Sequence, residues 1–195
     1  TTLSADTQYF AYKPFKTITL PNTITEIPSG DAYSSVFGEC SATTINIGNA
    51  VTSIGNYAFN KCRNLKRLNS NTDGVFNIPN SVTTIGGSAF ASCSGLTSCT
   101  IPSGVTSIGS YAFSSCSGLT SIDIPSGVTY IGSSAFSSCR GLTSITVNAT
   151  TPPTIGYYIF DNTNNCPIYV PSGKVNTYKS ASGWSEFADR IQAIS

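Results

Sequence analysis

Three stretches of this chain are near-copies of one another: IPNSVTTIGGSAFASCSGLTSCT, IPSGVTSIGSYAFSSCSGLTSID and IPSGVTYIGSSAFSSCRGLTSIT. Phe90, Phe113 and Phe136 therefore recur every 23 residues, and Phe37, Phe59 and Phe160 continue the series at spacings of 22, 31 and 24. A period of this length sustained along the chain restricts it to a repeat architecture, in which each unit covers the core of its neighbours. Within one unit the apolar positions are Ile124, Val128, Ile131, Ala135, Phe136, Cys139, Leu142, Ile145 and Val147, with Ser, Thr, Gly and Asp between them. One side of each unit faces a core, and no unit carries enough apolar surface to order itself alone.

The end of each unit alternates apolar and polar residues, as in Leu119 to Ile124, and a proline follows. That is the signature of a short strand, stopped by a residue with no N–H to give to a ladder. The alignment predicts seven parallel strands, over residues 17–20, 44–47, 75–78, 98–101, 121–124, 144–147 and 167–170. Their outward side chains fall into two columns. The first is Thr17, Thr44, Val75, Ser98, Ser121, Ser144 and Pro167; the second is Thr19, Asn46, Asn77, Thr100, Asp123, Thr146 and Tyr169. Gly55, Gly86, Gly109, Gly132 and Gly156 each follow an Ile, which suggests a sharp corner needing a permissive backbone.

The motif LxxIxIPxxVxxIGxxAFxxC, complete from Leu96 to Cys116 apart from Cys99 in an Ile position and repeated from Leu119, resembles the BspA-like leucine-rich repeat family of bacterial surface proteins. The closing segment from Cys166 to Ile194 is also similar to that of gut-bacterial members. The resemblance implies a leucine-rich repeat solenoid: a right-handed superhelix, α/β or mainly β, with one parallel sheet face and about seven coils of 22–24 residues. It also implies a non-enzymatic cell-surface or secreted role in adhesion or protein binding. The chain departs from the pattern in its first turn, which lacks the Ile-Gly corner. It departs again in the third turn, with about eight extra residues over NSNTDGVF, and at Thr163, where a Cys is expected.

Composition narrows the function classes. Ten basic and nine acidic residues leave a net charge of +1, no field with which to draw in nucleic acid or an anionic membrane. No run of about 18 apolar residues exists to span a bilayer. There is no histidine, so Ser-His-Asp and Cys-His catalysis and His-containing zinc sites are excluded. The absence of Met and the start at Thr1 suggest a mature or trimmed chain.

Cys40, Cys62, Cys93, Cys116 and Cys139 occupy one position of successive coils. A column at strand spacing does not converge on a metal, and five in register cannot pair off completely. They read as small buried hydrophobes, with Cys99 buried too and Cys166 the most exposed thiol. Asn69-Ser-Asn-Thr-Asp73-Gly opens like a calcium loop, but Asn stands first and Asn80 occupies the closing Glu position. The insertion therefore reads as a turn-rich loop bulging from the stack, a place where solenoids put specificity. Lys61, Arg63, Lys66 and Arg67 read as a solvated basic edge, with contact to an acidic partner or anionic glycan as the alternative. Trp184, Phe187 and Ile191 have the spacing of an amphipathic helix closing the C-terminal end, and Tyr9, Phe10, Tyr12 and Phe15 would close the other.

The expectation is a single repeat domain with an N-terminal cap over 1–16, repeats over 17–170 with an insertion near 69–76, and a C-terminal cap with a short helix over 171–195. It needs no cofactor or metal and has no catalytic residues. It is expected to be a monomer that binds an extracellular protein or glycan, at the surface of a bacterium or secreted from it. The candidate face is Thr19, Asn46, Asn77, Thr100, Ser121, Asp123, Ser144, Thr146 and Tyr169, with Tyr169 as an exposed aromatic anchor. The candidate loop is Asn69, Asn71, Asp73 and Val75. A rigid spacer is the alternative, and a polysaccharide-acting enzyme is disfavoured because Asp123 is the only acid on the face.

Overall fold

A computed structural model describes residue 10 and residues 13–194. The chain winds as a stack of coils with two parallel sheets on different sides of one core. Among the described residues the long sheet contains nine strands, Thr17–Thr19, Thr44–Asn46, Arg67–Leu68, Val75–Asn77, Ser98–Thr100, Ser121–Ile124, Ser144–Val147, Ile168–Val170 and Ile191–Ala193, in chain order. The short sheet contains six two-residue strands: Glu26–Ile27, Ser53–Ile54, Thr84–Ile85, Ser107–Ile108, Tyr130–Ile131 and Thr154–Ile155. Sequence reading finds seven of the nine long-sheet strands and one sheet rather than two. The short sheet escapes it because a two-residue strand cannot show alternation.

Each long-sheet strand sends a buried apolar side chain inward, Ile or Leu except at Phe76 and Cys99, and each short-sheet strand sends an Ile inward, buried in all but the half-buried Ile155. The third side carries the phenylalanines. Their rings stack nearly parallel, from Phe10 on Phe37 (centroids 5.1 Å apart) through Phe59, Phe90, Phe113 and Phe136 to Phe160, at 4.8 to 5.8 Å per step. This aromatic column measures the coil spacing directly. Phe15 packs edge-on against Phe10 at the N-terminal end, while Tyr9 and Tyr12 lie outside the described residues.

Backbone groups on the third side are satisfied by alternation. The N–H groups of Tyr57, Phe59 and Lys61 donate to carbonyls of Gly87, Ala89 and Ala91 in the next coil, and those of Ala58, Asn60 and Cys62 donate three residues back within their own coil. The alternation places Tyr57 and Lys61 at φ of 59° and 57°, and their equivalents in later coils do the same. A left-handed conformation costs a non-glycine residue about 1–2 kcal/mol; the hydrogen bonds to the neighbouring coil offset it. The Ile-Gly corner has a different cause from the one the sequence suggests. A Cβ at Gly109 would sit 2.5 Å from the carbonyl carbon of Gly86 and the nitrogen of Gly87, so glycine is required by the close approach of adjacent coils rather than by its own dihedrals.

The thiol column fills the core beside the phenylalanines, and all seven cysteines are free and buried. Four of these thiols, one per coil, also have a polar task. Cys62 donates to the Phe37 carbonyl of the preceding coil at 2.8 Å, and Cys93, Cys116 and Cys139 repeat this toward Phe59, Phe90 and Phe113. Thr163, in the Cys position of the last repeat, donates to the Phe160 carbonyl at 2.7 Å instead. Cys166 is not the exposed thiol expected. It is 6% accessible, because Arg190 covers it, donating to its carbonyl at 2.9 Å while lying over the Phe160 and Phe187 rings.

The C-terminal end is closed by an α-helix, α1 (Val175–Ser180), and a 3-10 turn over Trp184–Phe187. The helix expected to run through Ile191 stops before it. Ile191–Ala193 instead pairs in parallel with Ile168–Val170, because a strand there satisfies the backbone edge of the last coil and still buries Ile191. Trp184 and Tyr178 are fully buried and meet edge to face at 5.0 Å; the indole donates to the Pro153 carbonyl and the phenol to that of Ala149, both at 2.8 Å. Trp184→Ala is therefore expected to cost about 3–5 kcal/mol, read as a fall in denaturation midpoint.

Candidate functional site

The eight extra residues of the third turn do not form a simple bulge. Arg67-Leu68-Asn69 and Val75-Phe76-Asn77 are two copies of one strand, eight residues apart, and Leu68 pairs with Phe76 in the long sheet. On the short-sheet side nothing is added: Ser53 pairs directly with Thr84. The insertion is thus a wedge of one strand spacing, about 4.8 Å, driven into one side of the stack. Leu68 and Phe76 are both buried, which is why the added strand is held. The duplication RLN…VFN is legible in the sequence, but a six-residue connection between parallel strands, where a dozen or more are usual, hides it.

The connection, residues 69–74, stands beside the C-terminal ends of the first strands and borders an open cavity of about 580 Å³. Thr19, Asn46 and Asn77 of the predicted face and Asn69 and Asn71 of the predicted loop all line it, so the wedge brings the two groups together. Ser70 and Thr72 of the predicted insertion join them, as do Asn22 and Asn49, which sequence reading does not name. Asn69 fixes the loop to the sheet. Its Oδ1 accepts from the Ile47 N–H at 2.8 Å, and the Asn77 amide donates to the Asn69 carbonyl at 3.3 Å. Gly48, at φ 78°, forms another wall: a Cβ there would lie 2.6 Å from Asn22 Oδ1.

The remaining candidates lie elsewhere. Asp73 faces outward, where its carboxylate accepts from Arg67 Nε at 2.6 Å, and Val75 is half-buried in the added strand. Thr100, Asp123, Thr146 and Tyr169 continue the register that starts at Asn77, with Ser121 and Ser144 in the neighbouring column. Asn148 donates to the Asp123 carboxylate and to the Ile124 carbonyl. Tyr169 is not the exposed anchor expected: it is half-buried between Thr146 and Gln192, because the added C-terminal strand flanks it. Aromatics more exposed than Tyr169 stand elsewhere, among them Tyr130 on the short sheet, 41% accessible, and two on the third side. Tyr111 and Tyr158 are 51% and 70% accessible at the position two residues before the core phenylalanine. The basic edge is partly neutralised, Lys61 meeting Glu39 at 2.9 Å and Arg67 meeting Asp73.

Comparison with solved structures finds leucine-rich repeat proteins, one of which shares the fold. The leucine-rich repeat protein of T. pallidum superposes with a TM-score of 0.64 at 21% identity, over 91% of this chain and 85% of that one. A leucine-rich repeat protein from Bacteroides ovatus has a TM-score of 0.48 at 20% identity, over 91% of this chain and 60% of that one. A leucine rich cell surface protein from Faecalibacterium prausnitzii has a TM-score of 0.44 at 22% identity, over 88% and 62%. A comparison with curated proteins finds no match. The sequence pattern of the BspA type leucine rich repeat region matches six copies, over residues 4–75 and 69–182. With a periodic core, two parallel sheets and that match across nearly its whole length, the chain belongs to the BspA type leucine-rich repeat family.

Proposed function

We propose that the chain is a non-enzymatic binding module, displayed on a bacterial surface or secreted, that engages an extracellular protein or glycan through the long-sheet face and the 69–74 loop. The observation that carries this reading is the cavity between them, built by an insertion that the regularity of the solenoid does not require. Specificity in solenoids commonly resides in such departures from the repeat. The long-sheet face carries no grouping of carboxylates at glycosidase separation, Asp123 being tied to Asn148.

The test is saturable binding of the purified chain to matrix proteins, mucins and cell surfaces, repeated with Asn46→Ala and Thr19→Ala. Binding that weakens in these variants supports the reading; no saturable binding to any of the three overturns it. A rigid spacer is the second reading, favoured by the small uncharged side chains of Ser98, Thr100, Ser121 and Ser144 along the face.

A further inference from the structure

The walls of the cavity restrict the chemistry of its ligand, given that it is a binding site as proposed above. Six asparagines line it: Asn22, Asn46, Asn49, Asn69, Asn71 and Asn77. Some of their capacity is used internally, by Asn69 and Asn77 as described and by Asn46, whose amide donates to Thr19 Oγ1 at 3.3 Å. The side-chain amides of Asn22, Asn49 and Asn71 make no hydrogen bond to another described residue and remain available.

Among the described residues no charged side chain lines the space, and Arg67 and Asp73 beside it pair with each other. An anionic ligand would want a guanidinium or ammonium, and a hard cation would want several carboxylates. An apolar ligand would want a largely apolar wall, whereas the only aliphatic side chain here is that of Leu20, itself buried. A neutral ligand with donors and acceptors on adjacent atoms remains. An amide presents an acceptor oxygen and two donors side by side, and a sugar hydroxyl both donates and accepts, so the two are complementary along a vicinal diol.

The geometry points to a neutral oligosaccharide, bound with vicinal hydroxyl pairs against the amides of Asn22, Asn49 and Asn71. The space is within the range of small-molecule sites, about 300–1,000 Å³, and is open enough for a chain to continue past it. A peptide strand is the competing neutral polymer. It draws affinity from aromatic or aliphatic anchors, and the cavity offers no subsite for one.

The experiment is a nuclear magnetic resonance titration of the whole chain with short neutral cello-, manno-, laminari- and chito-oligosaccharides, at low and high NaCl. At least one series is expected to shift the side-chain amide signals saturably, with a Kd that changes less than about twofold with salt because no ion pair is involved. Asn22→Ala, Asn49→Ala and Asn71→Ala are each expected to weaken it about three- to tenfold, the range for one neutral hydrogen bond. Their melting temperatures should not change, since none of these amides holds the fold. Saccharide binding that survives the triple substitution overturns the site. A matrix protein or peptide that binds, and is blocked by the triple substitution, while every neutral saccharide fails, overturns the ligand class and leaves the binding reading standing. Failure of protein and saccharide alike overturns both.

Discussion

Raising the pH through about 10 is expected to unfold this protein, with the buried thiol column as the cause. Cys62, Cys93, Cys99, Cys116 and Cys139 are buried, and burial pushes each thiol above its ordinary value of 9.0, to about 12 for Cys99 and Cys139 and upward for the others. The folded state keeps these protons where the unfolded chain, titrating near 9.0, releases them. Above that pH the unfolded state therefore binds fewer protons, and stability falls as pH rises, by about 1.4 kcal/mol per thiol per unit. The contribution is fully present below pH 9 and is lost progressively toward pH 12. Five thiols remove about 7 kcal/mol by pH 10, comparable with the whole stability of a typical domain, about 5–15 kcal/mol.

Circular dichroism and ultraviolet thiolate absorbance followed together should show thiolate appearing only as the fold is lost. Thiolate forming near pH 9 in an intact fold would show that the column is accessible, against its burial. Cys116→Ala is expected to cost about 1–2 kcal/mol at neutral pH, from lost packing and the lost bond to the Phe90 carbonyl, and to make the alkaline fall shallower by one thiol.

Deleting residues 69–76 should weaken ligand binding at least about tenfold and preserve the fold. The deletion joins Leu68 to Asn77 and creates Arg67-Leu68-Asn77-Ile78-Pro79, which has the pattern of Ser121-Ile122-Asp123-Ile124-Pro125. The Phe59 and Phe90 rings already stack at 5.2 Å, and Ser53 already pairs with Thr84, so the core beneath needs no rearrangement. Removing the loop and the added strand takes away Asn69, Ser70, Asn71 and Thr72 from the cavity wall. Affinity for any ligand of this site should fall at least about tenfold, or about 1.4 kcal/mol, while the denaturation transition stays cooperative. Undiminished binding would remove the cavity from the function. A chain that no longer folds would show that the wedge is structural.

The repeat period and the inward residues of each coil are determined by the sequence alone, because burial on one side of a coil imposes a fixed spacing on Ile, Phe, Cys and Leu whatever the neighbours are. That is why the phenylalanine series and the thiol column could be aligned before any coordinate. Four features were decided only by tertiary structure. The second sheet rests on two-residue strands that exist because each coil offers the next a hydrogen-bonding edge. The added strand at Arg67–Leu68 depends on the edges on either side of it. Ile191 becomes a strand residue, and Cys166 becomes buried, because the last coil leaves an open edge and an open core that the C-terminal segment covers. The cavity follows the same rule. Asn46 and Asn77 were legible as outward residues from alternation, but Asn22 and Asn49 sit in turns without a periodic signal, and only the stacking of three coils around the wedge brings their amides to one place.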